Sequence, residues 1–229
     1  MKAYSIVIQG AKTSETGFAK LCQSSVDVGN DFEVQRFDAV VPKQVSSKMK
    51  ELDVKWNYPW RGFETDFATG LTKTAYKTKN PEARIACALS HYELWLKCIS
   101  LDEPILILEH DAVFINKIDF DPKDTTAFIL GINNPLGATR KSADFYNTII
   151  GDKRSYQPSP SIDHFDVPQG LAGNSAYMIK PAGAQAMIDL VAQHGLWPND
   201  AIMCRQLIPR LMVTKKFYTT IQGLKSTTT

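Results

Sequence analysis

The stretch "ILILEHDAVF", Ile105 to Phe114, sets Glu109 and Asp111 at the end of an apolar run. A continuous series of aliphatic residues reads as a strand covered on both faces, as in parallel α/β sheets. Strand alternation places Glu109 and Asp111 on one face and His110 on the other. Open α/β sheets bind ligands in the crevice beyond the carboxyl ends of their strands. Two carboxylates there repel unless a cation or hydrogen-bond donors offset them. Such an oxygen pair suits Mg²⁺ or Mn²⁺. An ion of this kind neutralises phosphate oxygens and holds a leaving diphosphate. A Glu-x-Asp triplet says little by itself in a chain with 24 acids; its place after a buried strand gives it weight.

Other residues admit two readings each. Asp200, in "WPNDAIM", is either a first-turn helix acid favoured by the dipole or a general base for an acceptor hydroxyl. His91 is either a buried, hydrogen-bonded histidine or a ligand. His164 and His194 read as surface residues that could supply a further metal ligand. Trp56, Trp60 and Trp197 either stack on sugar or nucleobase rings or build core.

The elements that must position these residues follow from pattern. "YSIVIQG" reads as a first strand ending at Gly10, so Gln9 and Gly10 fall at a strand end where ligands bind. A helix over Ala11 to Ser25 and a strand "FEVQRFDAV" follow. Pro42 to Lys79 reads as an irregular, partly structured excursion. "NPEARIACALSHYELWLKCIS" is the clearest helix, capped by Asn80, with Pro81 in its first turn and Glu82 at its positive end. Ile85, Leu89, Tyr92, Leu96 and Ile99 mark one core face, and Ala88, His91 and Trp95 a second. Strands at "PILILEHD" and "TAFILGIN" come next, then a polar segment from Asn133 to Gln169. The last elements are a glycine-rich turn, a short strand, a helix ending at Gly195, and a helix capped by Asn199 and stopped by Pro209.

At 229 residues, 44% hydrophobic and 10% aromatic, the chain suits a single α/β domain with an ample core. A net charge of +2 with scattered Lys and Arg argues against a nucleic-acid face. Cys22, Cys87, Cys98 and Cys204 lack ligand spacing and read as reduced thiols in a cytoplasmic protein. The N-terminus reads as a strand rather than a signal peptide, and no apolar run reaches the length of a membrane span.

"ARIACALSHYELWLKCI" followed by "EPILILEHDAVF" resembles the paired signature of glycosyltransferase family 25, the lipopolysaccharide-type galactosyl- and glucosyltransferases and their collagen-modifying relatives. "TAFILGIN", "GNSAYMIKPAGAQAM" and "WPNDAIM" resemble later family segments in the same order, so the likeness runs from about Ala83 to Asp200. It implies a GT-A type nucleotide-diphospho-sugar transferase fold with a mainly parallel central sheet flanked by helices. It also implies a UDP-hexose donor, a saccharide or glycoconjugate acceptor, and Mn²⁺ or Mg²⁺. On that resemblance Asp111 and Glu109 hold the metal and diphosphate, with Glu109 also facing the donor. Gln9, Gly10, Ser90 and His91 line the donor side, Asp200 is the base, and transfer inverts the anomeric centre. A nucleotide-sugar and metal half then spans about 1–131 and an acceptor-side half about 132–229, with room for transient contact with a membrane surface. The chain departs from the family pattern at His110, where Asp is usual, at Arg84, where an acid is common, and at Ala86, where Gly is common. It also lacks the Arg-rich turn after the first strand. The competing readings are a non-catalytic nucleotide-sugar-binding relative and a metal-dependent phosphoesterase.

Overall fold

The computed structural model describes residues 1–138 and 141–224. In chain order the elements are β1 (Lys2–Val7), α1 (Lys12–Asp27), β2 (Val34–Asp38), α2 (Val45–Glu51), β3 (Phe63–Asp66), β4 (Leu71–Thr74), α3 (Pro81–Leu101), β5 (Ile105–Glu109), β6 (Ala112–Phe114), β7 (Ile129–Gly131), α4 (Ser142–Gly151), β8 (Tyr156–Pro158), β9 (Ala176–Ile179), α5 (Pro181–His194), α6 (Asn199–Ile202), β10 (Leu211–Thr214) and β11 (Thr219–Ile221). No helix among the described residues is long and apolar enough to cross a membrane.

The central sheet has seven strands in the order β2-β1-β5-β9-β7-β10-β8. β1 runs parallel to both β2 and β5, and β7 parallel to β10. The expected mainly parallel sheet is therefore present, but β9 is inserted antiparallel to both β5 and β7, and β8 closes the edge antiparallel to β10. Because β9 is reversed, the residues that precede it arrive at the same edge that β1, β5 and β7 leave.

β5 divides its side chains between two cores. Ile105 and Ile107 pack on the α3 and α5 side with Leu89, Trp95, Tyr177 and Met187. Leu106 and Leu108 pack on the α1 side with Leu21, Leu130 and Met178. All four β5 residues are fully buried, and each contributes about 1.5–3 kcal/mol by leaving water. By the same alternation Glu109 ends the strand on the α3 side. Helix α3 begins as the sequence predicts: the Asn80 side chain accepts from the Ala83 N–H at 3.2 Å, and Pro81 occupies the first turn. It ends at Asp102, which takes a left-handed φ of 50°.

Three regions differ from the sequence reading. The excursion after Pro42 contains α2 and the β3–β4 hairpin, where Lys73 is buried because Glu64 and Asp66 neutralise it at 2.7 and 3.1 Å. The polar segment after Asn133 contains α4 and β8. The helix expected from Asn199 to Pro209 is only the four residues of α6, preceded by Pro198 rather than capped by Asn199, and β10 and β11 lie where no element was expected. All four cysteines are free thiols, as expected.

Candidate functional site

The strand does not continue through the acids. After Glu109, whose N–H donates to the Ser175 carbonyl at 2.8 Å, His110 and Asp111 form a turn into β6, which pairs with β11 in a separate small sheet. Gln222 clamps this turn. Its backbone N–H donates to the Asp111 carbonyl at 2.7 Å. Its side-chain amide lies 3.2 Å from the His110 carbonyl and 2.9 Å from those of Ala112 and Gly17. Gly17 lets α1 approach: a Cβ there would stand 2.5 Å from the His110 carbonyl oxygen. Alternation therefore cannot be carried from Glu109 to Asp111, and the expectation that His110 stands off the acid face is corrected. His110 is buried and lines the same cavity as Glu109. Burial lowers its pKa, against the opposing pull of the Glu109 charge.

That cavity, about 380 Å³, opens at the carboxyl edge of β1 and β5 beside α3, with Ile6, Ile8, Cys87, His91, Glu109 and His110 among its walls. Ser90 shapes it rather than facing a ligand with a free proton. Its hydroxyl donates to the Ala86 carbonyl at 2.8 Å and accepts from the Val40 N–H at 2.9 Å, which pins the loop after β2. His91, fully buried, has Nε2 3.2 Å from Glu109 Oε1 and Nδ1 2.9 Å from the Tyr177 hydroxyl. Trp95 Nε1–H donates to the same hydroxyl at 3.0 Å. Enclosure pushes the Glu109 pKa up, but the pull of the neighbouring imidazoles, led by the His91 hydrogen bond, outweighs it, so the carboxyl stays below its ordinary value. Gln9 is exposed and lines a neighbouring concavity of about 730 Å³ that shares the Ala39–Pro42 loop. Gly10 is exposed with φ +76°, and its N–H donates to Glu15 at 3.2 Å.

Asp111 behaves in the opposite way to Glu109. Burial, then the neighbouring Glu109 charge, push its pKa up to about 6, against a Ser175 hydrogen bond. Its Oδ1 is buried with no hydrogen-bond partner. The Asn174 and Asn199 amides are likewise buried with neither Oδ1 nor Nδ2 paired. These are the residues just before β9 and just before Asp200. The Asp200 side chain is open to solvent yet set in a concavity, whose desolvation raises its pKa; Arg84 and the Tyr76 hydroxyl pull the other way. Arg84 lies over the Tyr76 ring at 4.7 Å, and its Nε donates to Thr78 at 2.7 Å. Arg84 thus puts a cation toward Asp200.

Glu109 and His91 line the cavity, and Asp111 and Asp200 lie near enough that Cys87, in its wall, senses their charges together with that of Glu109. Gln9 and Gly10 stand further out on the β1 side. A compact trio of potential ligand atoms, all within 4.8 Å of one another, comprises Cys87, His91 and Glu109 and omits Asp111. The unpaired Asp111 Oδ1 nonetheless fits a cation held with Glu109, since a buried carboxylate oxygen without a donor is costly. Sequence reasoning missed Tyr177, Trp95, Asn174, Asn199 and Gln222. The spacing of Ala88, His91 and Trp95 on a second helix face was the available signal for Trp95.

An α/β sheet with carboxylates gathered in a crevice at its carboxyl edge defines a protein built to bind polar small molecules at strand ends. The chain belongs to glycosyltransferase family 25: the family's profile, described as glycosyltransferase family 25 (LPS biosynthesis protein), matches residues 15–203. No curated protein matches the chain. Among solved structures it is similar to the galactosyltransferase LgtC in complex with donor and acceptor sugar analogs. That likeness has 11% identity and a TM-score of 0.41, over 93% of this chain and 72% of that one.

Proposed function

We infer that the protein is a metal-dependent hexosyltransferase of GT-A type that moves galactose or glucose from a UDP-sugar to a hydroxyl of a saccharide or glycoconjugate, with inversion. One observation carries this reading beyond family membership: buried polar atoms without partners on Asp111, which senses the Glu109 charge, and on Asn174 and Asn199, which neighbour Ser175 and Asp200 in the chain. Unpaired buried groups cost free energy and persist where a ligand completes them. Glu109 and Asp111 would hold Mn²⁺ or Mg²⁺, which supplies charge neutralisation for a leaving diphosphate. The β1–α3 cavity receives the nucleotide, so residues up to about 131 serve the donor and those after it the acceptor. Asp200 takes the proton from the acceptor hydroxyl. Its raised pKa suits a base, and it lies close enough to Glu109 to sense that charge.

The test is thermal unfolding with UDP-galactose, UDP-glucose and other nucleotide sugars, with and without Mn²⁺, followed by assay of UDP release. Stabilisation by a UDP-hexose that requires metal, with turnover, supports the reading. Arg84 beside Asp200 favours a second one, a nucleotide-sugar-binding relative without transferase activity, which predicts stabilisation with no turnover in the presence of any glycan acceptor.

A further inference from the structure

The hydrogen bonds among Trp95, Tyr177, His91 and Glu109 have only one fully satisfied arrangement of protons. The Trp95 indole can only donate, so it occupies a lone pair of the Tyr177 hydroxyl. Tyr177 and Trp95 are fully buried, and the Tyr177 proton has one acceptor at hand, His91 Nδ1 at 2.9 Å. A neutral imidazole that accepts at Nδ1 carries its proton on Nε2, which points at Glu109 Oε1 at 3.2 Å. The opposite tautomer would set two donors on the Tyr177 oxygen, strand its proton in an apolar core and turn a bare Nε2 lone pair toward a carboxylate. Each of those costs free energy.

We propose that Trp95 and Tyr177 are positioning residues that act through His91, locking its Nε2–H toward Glu109 so that Oε1 is held and Oε2 is left to face the crevice. A metal on Nε2 would force the proton to Nδ1, against the Tyr177 and Trp95 donors, so this arrangement works against a metal centre on Cys87, His91 and Glu109 despite their closeness. Helix α3 and strand β9, which carry the three supporting residues, thereby aim an acid at the end of a third element, β5. The consequence for activity rests on the transferase reading above; the assignment of the protons does not.

The first test uses protein labelled with ¹⁵N in its four histidines, without metal or nucleotide. The His91 resonances are identified by their absence in His91→Gln. A protonated Nε2 with a bare Nδ1 is expected. A proton on Nδ1, or on both nitrogens, overturns the proposal. The second test measures UDP-galactose binding with Mn²⁺ well below the unfolding temperature. His91→Leu and Tyr177→Phe should weaken binding by about 10–100-fold, the usual cost of losing an outer partner of a ligand carboxylate or histidine. His91→Gln, whose amide can present an N–H in place of Nε2–H, should stay within a few-fold of the native protein. If Gln is as damaging as Leu in a folded protein, or if Tyr177→Phe lowers stability alone, the positioning role is wrong. Should the native protein bind no UDP-sugar, the transferase reading fails while the nitrogen resonances still decide the tautomer.

Discussion

The two walls of the crevice differ in how their polar groups are partnered. On the α3–β5 wall, Ser90, His91, Trp95, Tyr177 and the Oε1 atom of Glu109 are joined in hydrogen bonds. The second wall, taken as the turn after β5, the residues before β9 and the start of α6, holds Asp111 Oδ1 and the amides of Asn174 and Asn199 buried and unpaired. A buried polar group without a partner costs about 1–3 kcal/mol, so the second wall carries a standing destabilisation that the first does not. One wall is preorganised by the protein; on the proposed reading the other is completed by what binds.

The largest effect that bears on this contrast is loss of the acid proposed to hold the metal. Asp111→Asn should reduce metal-dependent transfer from a UDP-hexose to background with the fold intact, measured by UDP release with circular dichroism as control. Near-normal turnover would remove Asp111 from the site. Next in size is Asp200→Asn, expected to lower kcat by on the order of 10²–10⁴ while sparing donor affinity. A variant that melts early but regains full specific activity once folded would make Asp200 a helix-end acid only.

Substitutions on the two walls should then separate. Ser90→Ala leaves the buried Val40 N–H without its acceptor and should cost about 1–3 kcal/mol, read as a lower denaturant midpoint. Asn174→Ala and Asn199→Ala remove groups that have no partner to lose. Their stability should be unchanged or slightly higher, while affinity for UDP-sugar or acceptor falls about tenfold, the worth of one good hydrogen bond. If the Asn variants destabilise as Ser90→Ala does, the walls are alike and the contrast is wrong.

The smallest effect is a pH dependence. The Asp111 pKa rises from 3.8 unfolded to about 6 folded, so the native state prefers the protonated form. The stability tied to that proton is fully present below pH 3.8 and is lost as pH rises through about 6. Metal-free Asp111→Asn should therefore unfold at higher denaturant than the native protein at pH 8, by about 1–3 kcal/mol, with the gap closing by pH 4. No gap at pH 8 would show that Asp111 carries no such penalty.

The sequence revealed the parts of the site that obey a period. The β5 run, the double-faced α3 with its Asn80 cap and the order of the family segments single out Glu109, Asp111, His91 and Asp200 as candidates. What failed was extrapolation past the end of a period. The strand rule was carried two residues beyond Glu109, into a turn fixed by Gln222 and Gly17, which lie 112 and 93 residues from His110 and leave no local trace. α6 stops after four residues because Met203 leaves the helical conformation, with ψ 68°, long before Pro209. The direction of β9 was equally hidden, since its four buried residues look the same whichever way they pair.

Gln222 also orders events in time. Its side chain joins carbonyls of α1 and of the acid turn, both of which leave the ribosome well before it does. A nascent chain can form α3 and β5 early, yet its Asp111 turn lacks the clamp until residue 222 has emerged. The acid turn thus takes its final shape only once residue 222 has joined it, well after β5 itself can form.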